Sequence, residues 1–168
     1  PKEKYKANVK AIQLLKELEI EHRLATPEEQ EILSRFVGWG SLADAFDQTK
    51  SNWKNEYLEL KELLNDKQYK AARESTLTAF YTPPVVIQSI YQKLSDMGLK
   101  TGNILEPSCG IGHFFGMKPN DMDCHFYGVE LDEISGKIAQ QLYQNATIAI
   151  QGFEETDIPD NLFEAVVG

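Results

Sequence analysis

Apolar side chains recur at helical spacing through the first half of the chain and gather into short runs in the second. Between residues 8 and 21, Val9, Ile12, Leu15, Leu18 and Ile20 fall close to a 3.6-residue period and predict a helix. Ala25-Thr26-Pro27-Glu28-Glu29 predicts the start of another. Thr26 can cap it, Pro27 suits the first helical position, and Glu29 can reach back to the cap. Ile32, Leu33, Phe36 and Val37 then make one apolar face, with Gly38 as the stop. Trp53, Tyr57, Leu60, Leu63 and Leu64 mark an amphipathic helix from about Trp53 to Leu64, and a short one is expected from Tyr69 to Glu74.

The period changes after residue 80. Thr82-Pro83-Pro84 opens a helix from Val85 to about Met97, with Val86, Ile90 and Leu94 inward and Gly98 closing it. Four apolar runs then read as strands: Asn103 to Glu106, His125 to Glu130, Ala146 to Ile150 and Phe163 to Val167. A helix over 132–145, through Ile134, Ile138 and Leu142, separates the second from the third. Strands alternating with helices predict an α/β fold with a parallel sheet. The expected division is an N-terminal helical region over 1–75 and an α/β region over 76–168.

Composition adds limits. A chain of 168 residues with 42% hydrophobic content suits one domain, or a core domain with a helical appendage, and is too apolar for wholesale disorder. The net charge of −9 is uneven. Residues 1–80 carry 13 Lys and Arg against 14 Asp and Glu, whereas residues 81–168 carry 4 against 12. An acidic half repels a phosphate backbone, so this chain by itself is expected to bind DNA weakly, yet it can host a cation. Cys109 and Cys124 are far apart with no CxxC or His-Cys cluster, which argues against a zinc site. No apolar run is long enough to span a membrane and no secretory signal opens the chain, so the expected compartment is the cytoplasm. The first residue, Pro1, suggests a chain cut from something longer or processed.

Two features of the front half have competing readings. Gly38-Trp39-Gly40-Ser41 is either an aromatic on a mobile turn reaching over a ligand, or a buried tryptophan anchoring two helices. Burial of large aromatics favours the second. His22, isolated among charges, reads as a solvated helix end.

The chemistry gathers in Ile104-Leu105-Glu106-Pro107-Ser108-Cys109-Gly110-Ile111-Gly112-His113-Phe114-Phe115. It reads as a strand ending on a carboxylate, a glycine-rich turn and a helix start, an arrangement that brings backbone N–H groups to a nucleotide. A dinucleotide and S-adenosylmethionine both use such a turn. Glu106 decides between them, because a carboxylate at the strand end repels pyrophosphate and attracts an ammonium and a sulfonium. Glu130 lies 20 residues past Gly110, the spacing at which an acid at the end of the second strand meets a ribose diol. Cys109 and His113 read as turn residues, since neither has a base or nucleophile partner.

Glu106 to Phe115 resembles the first motif of amino-group DNA methyltransferases, and Gly128-Val129-Glu130-Leu131-Asp132 the second. Phe80-Tyr81-Thr82-Pro83 resembles the motif that precedes them when the methyl-donor site comes first. The ordered set, with the Gly-Trp-Gly turn upstream, is most similar to N6-adenine-specific DNA methyltransferases that sit ahead of helicase domains in bacterial mobile elements. The resemblance covers most of the chain. It implies an S-adenosylmethionine-dependent, Rossmann-like methyltransferase fold, with a partial parallel sheet ordered three, two, one, four, helices on both faces, and an N-terminal helical region in front. It also implies roles. Tyr81, Thr82 and Pro83 would line the methionine end of the cofactor, and Glu106 would face its amino group. Pro107, Ser108, Gly110 and Gly112 would wrap it, Glu130 would hold the ribose, and Leu131 and Phe153 would flank the adenine.

Two departures qualify these roles. Gly152 stands where many members have an Asp that bonds the adenine amino group, leaving Gln151, Glu154 or backbone to substitute. The sequence given ends at Val166-Val167-Gly168, where the family's Asn/Asp-Pro-Pro-Tyr/Phe motif would begin. The expectation is therefore an inactive cofactor-binding piece of a parent that acts on DNA, as in restriction-modification, with no catalytic residue and no metal in the piece. Its strand over 162–167 would be an exposed edge open to self-association. The competing readings are a non-catalytic adaptor with a degenerate pocket, or methylation of a small molecule or protein.

Overall fold

The computed structural model describes residues 1–78 and 81–168. Phe80, the first residue of the Phe80-Tyr81-Thr82-Pro83 run, lies outside them. The chain divides into two compact units, Pro1–Phe80 and Tyr81–Gly168.

The first unit is helical, with α1 (Lys2–Glu21), α2 (Pro27–Leu33), α3 (Lys54–Leu63) and α4 (Asp66–Thr78). Helix α1 begins a turn and a half before the apolar run, because Tyr5 adds a buried position to the stripe of Val9, Ile12, Leu15 and Leu18. It ends at exposed His22, which adopts the left-handed conformation. The expected capping box starts α2: Thr26 Oγ1 accepts from the Glu29 N–H at 3.3 Å, and Glu29 Oε2 accepts from the Thr26 N–H at 2.8 Å. Helix α4 runs four residues past the expected Glu74. A reciprocal pair starts it, in which Asn65 Oδ1 accepts from the Gln68 N–H at 2.8 Å and Gln68 Oε1 from the Asn65 N–H at 3.2 Å.

Helix α2 stops at Leu33 rather than continuing to Val37, and the cause lies in α1. Asn8 is fully buried, its Oδ1 accepting from the Val37 N–H at 2.9 Å and its Nδ2 donating to the Gly38 carbonyl at 2.7 Å. The backbone groups of that turn are therefore satisfied by a side chain rather than by a further helical turn. Gly38, at φ 68°, takes the positive angle the bend requires. Trp39 is consequently a core residue, 3% exposed, packed edge-on against Phe36 at 6.2 Å and Phe46 at 5.2 Å.

The second unit contains α5 (Pro84–Asp96), β1 (Thr101–Glu106), α6 (His113–Gly116), β2 (Asp123–Glu130), α7 (Glu133–Leu142), β3 (Thr147–Ile150) and β4 (Ala165–Val166). It is an α/β unit whose sheet runs β3-β2-β1-β4 with every pair parallel, the expected order. Register sets Ile104 beside Phe126, Glu106 beside Gly128 and Glu130 beside Ile150.

The helices do not divide between the two faces. Ile87 and Tyr91 of α5 and Phe114 and Phe115 of α6 share one core with Ile104 and Phe126. On α7, a Cβ at Gly136 would stand 2.8 Å from Ile150, whose side chain points to that same face. All three helices of this unit thus cover one side, and Leu105, Tyr127 and Val129 point to the other, where Phe163 packs edge-on against Tyr127 at 5.1 Å. Helix α5 also turns differently from expectation. Val86 is 42% exposed, and the inward stripe is Ile87, Ile90, Tyr91 and Leu94, a cleaner helical spacing anchored where the Tyr91 hydroxyl donates to the Phe114 carbonyl at 2.5 Å. Strand β4 is shorter than 162–167: only Ala165 and Val166 pair with β1, Val166 is exposed, and Val167 is buried. Among the described residues no helix is long and apolar enough to cross a membrane, and no cluster of His, Cys, Asp and Glu could hold a metal.

Asn8→Ala should destabilise the first unit by about 2–3 kcal/mol, because it leaves two backbone groups without partners. Urea unfolding followed by tryptophan fluorescence reports this unit, which holds both tryptophans. A loss below about 0.5 kcal/mol would contradict the role given to Asn8.

Candidate functional site

The site forms where β1 and β2 end side by side. After Glu106 the chain turns through Pro107 and Ser108, and the Cys109 N–H donates to the Val129 carbonyl at 2.9 Å, laying the turn across the end of β2. Gly110 and Gly112 have φ of 55° and 89°, values that favour glycine at both positions. Close neighbours reinforce the requirement. A Cβ at Gly110 would stand 3.2 Å from the Tyr81 ring, and one at Gly112 would stand 2.6 Å from the Tyr143 ring. The turn is thereby held low against the sheet, and its backbone stays within reach of a ligand.

Two carboxylates flank it. Glu106 is 5% exposed, and its Oε2 is buried without a hydrogen bond among the described residues. Burial, and then the charge of Glu130, push its carboxyl up to about 8. Glu130 is half-buried and better served: Oε2 accepts from the Gly110 N–H at 2.7 Å and Oε1 from the Asp132 N–H at 2.8 Å. Burial raises its carboxyl, and those two backbone bonds oppose the rise. Asp132 adds a third acid while capping α7, where its Oδ2 accepts from the Ser135 N–H at 2.8 Å. None of the three carboxylates forms an ion pair among the described residues. The crevice is negative and uncompensated.

Tyr81, Glu106, Gly110, Gly112 and Glu130 are therefore gathered around the turn. Burial, with the charges of Asp132 and Glu130, pushes the Tyr81 hydroxyl up to about 12, against a hydrogen bond with Ser135. Thr82 and Pro83, with Tyr81, line a cavity of about 370 Å³ that is bounded by His113, Met117 and Tyr143. Pro107 is half-buried and Ser108 exposed on the turn. Leu131 and Phe153 stand just past β2 and β3, 77% and 47% exposed, offering apolar surface to solvent. Gln151 donates from its side chain to the Glu155 carbonyl at 3.2 Å and to Thr156 Oγ1 at 3.0 Å, so its amide is engaged within its own loop. Cys109 is buried on the turn with its thiol pushed up, and His113, which opens α6 rather than lying in the turn, is lowered by burial.

Asp132, Ser135 and Tyr143 also shape the site and were not among the expected residues. Asp132 three positions before Ser135 is a legible helix-cap pattern, but Tyr143 carries no local signal of its contact with the glycine turn. The residues present fit a cationic group attached to a nucleoside. Glu106 offers a buried oxygen with no partner, the glycine turn leaves space that a Cβ would fill, and three carboxylates would repel a pyrophosphate.

No protein-family profile matches the chain. It is 26% identical over 164 residues to Defense against restriction protein B of Escherichia phage P1, covering 96% of this chain and 6% of that protein. The chain thus spans a small fraction of the curated relative it matches. Among solved structures it is similar to a candidate S-adenosyl-L-methionine-dependent methyltransferase from Methanococcus maripaludis, with 14% identity, a TM-score of 0.42, and 72% of this chain and 49% of that one covered. It is also similar to a candidate class I S-adenosylmethionine-dependent methyltransferase from Listeria monocytogenes, with 16% identity, a TM-score of 0.43, and 94% and 57% covered.

Gly112 and Gly98 separate strain from crowding. Both have φ near 90°, but nothing lies within 4 Å of a Cβ at Gly98. Gly98→Ala should cost about 1 kcal/mol from the left-handed backbone alone, and Gly112→Ala about 3 kcal/mol, because the Tyr143 ring must also move. Denaturant unfolding followed by far-ultraviolet circular dichroism measures both, and equal losses would contradict the close packing of the turn.

Proposed function

We propose that the second unit binds S-adenosylmethionine and that the chain is the methyl-donor part of an N6-adenine-specific DNA methyltransferase. The observation that carries the first half is the buried, unpartnered oxygen of Glu106 in a crevice lined by acids. Glu106 takes the ligand's ammonium, which supplies the missing donor. Glu130 accepts from the ribose hydroxyls with the oxygen lone pairs that Gly110 and Asp132 leave free. Gly110 and Gly112 keep the turn close to the ligand. Tyr81, with Thr82 and Pro83, borders the methionine end, while exposed Leu131 and Phe153 receive the adenine. When bound, the donor supplies an activated methyl group on its sulfonium.

Support for DNA as the substrate is of a different kind. Tyr81-Thr82-Pro83, the Glu106–Gly112 turn and Gly128–Asp132 occur in the order found in adenine-specific DNA methyltransferases. The phage relative is named for defense against restriction, and base methylation is one chemical means of withstanding restriction. With 4 basic against 12 acidic residues from position 81 onward, this unit is not the part that grips the phosphate backbone. Contacts to DNA belong to other parts of the parent protein.

Isothermal titration with S-adenosylmethionine tests the reading. The chain should bind, and Glu106→Ala and Glu130→Ala should each weaken binding at least roughly tenfold, about 1.4 kcal/mol. Absence of binding, or affinities equal to that of the parent in both variants, would favour a non-catalytic adaptor instead.

A further inference from the structure

We infer that this site exchanges a proton for its ligand: Glu106 is a carboxylic acid while the crevice is empty and releases its proton to solvent when a cationic ligand binds. The inference rests on the cofactor reading above and adds a proton to it.

The geometry leaves an ionised Glu106 without support. Its Oε2 is buried and receives no hydrogen bond among the described residues. The groups facing it come from three elements. Glu130, at the end of β2, is negative and raises the Glu106 carboxyl further. Tyr91 on α5 has its hydroxyl committed to the Phe114 carbonyl at 2.5 Å. Cys109 on the turn is a buried neutral thiol whose own ionisation Glu106 opposes. Further along the crevice, Asp132 at the start of α7 adds negative charge near Tyr81, and burial keeps His113 on α6 toward its neutral form. No positive group of the described chain reaches the carboxylate, so a proton is the cation available to the empty site.

An ammonium brought by the ligand replaces that proton. The exchange balances simply: the acid's O–H bond breaks, its electron pair stays on the carboxylate, the proton passes to buffer, and the carboxylate then accepts hydrogen bonds from the ligand. Below the carboxyl's raised titration point of about 8, binding therefore releases one proton and strengthens with pH. The gain should be roughly tenfold between about pH 6 and about pH 7. It should level off near pH 8, where an amino acid's own ammonium begins to titrate.

Calorimetric titration of the chain with S-adenosylmethionine, at one pH near neutrality in buffers of differing ionisation heat, counts the protons. Close to one proton should be released, and affinity should rise roughly tenfold between about pH 6 and about pH 7. Glu106→Gln, which keeps the shape without a titrating group, should bind more weakly with neither proton release nor pH slope. 5′-Methylthioadenosine shares the nucleoside but has no ammonium, and any binding it shows should release no proton. S-adenosylmethionine binding with no proton released and a flat profile would overturn the inference and leave the cofactor reading intact. Absence of binding across the whole range would overturn both.

Discussion

The hydrogen bond from the Gly110 N–H to Glu130, 2.7 Å long, ties the turn after β1 to the end of β2. With the Cys109 N–H bonded to the Val129 carbonyl at 2.9 Å, it determines how two adjacent parallel strands open at their carboxyl ends. A loop resting there must lie low, so its glycines adopt positive φ and accept the Tyr81 and Tyr143 rings where side chains would otherwise be. The same constraint aims Glu106 inward. The strand that delivers it runs through the unit's core, and the last residue of that strand is buried with it. A carboxylate is thus placed where it is poorly solvated, next to a second one, and the chain supplies no counter-charge.

Such an arrangement leaves the Glu106 carboxyl oxygen buried without a partner among the described residues. A buried polar atom without a partner costs about 1–3 kcal/mol, more when charged, and a ligand bearing a donor at the right place recovers that cost. Glu130 differs although it lies only one strand away. Two backbone N–H groups already satisfy one lone pair on each of its oxygens, which fixes the side chain's orientation and leaves it acceptors for hydroxyl groups. Two acids of the same type therefore sit in different environments, Glu106 orphaned and Glu130 held by two backbone N–H groups.

Much of this is readable along the chain because it is local. The Thr26 capping box, the strand-turn-helix run around Glu106 and the spacing to Glu130 all follow from neighbours within about 20 residues. The strand order is instead implied by the family resemblance, and it joins β1 to β4 about 60 residues away. What escapes is non-local. Asn8 ends α2 through bonds to Val37 and Gly38, about 30 positions away, and a lone asparagine in an amphipathic helix announces no such partner. The shift from Val86 to Ile87 on α5 depends on which side of the helix meets Phe114, a contact 23 residues distant. The close seating of α7 on the sheet depends on Gly136, where a Cβ would stand 2.8 Å from Ile150 and absence of a side chain is the signal. Strand β4 is short because only Ala165 and Val166 match the β1 ladder, which its apolar composition alone overstates.

A crystal structure of the chain grown with S-adenosylmethionine tests the central claim most directly. The account predicts the ligand's ammonium at hydrogen-bonding distance from Glu106, its ribose on Glu130, and its adenine between Leu131 and Phe153. A ligand lodged away from both carboxylates, with Glu106 still lacking a partner, would contradict it.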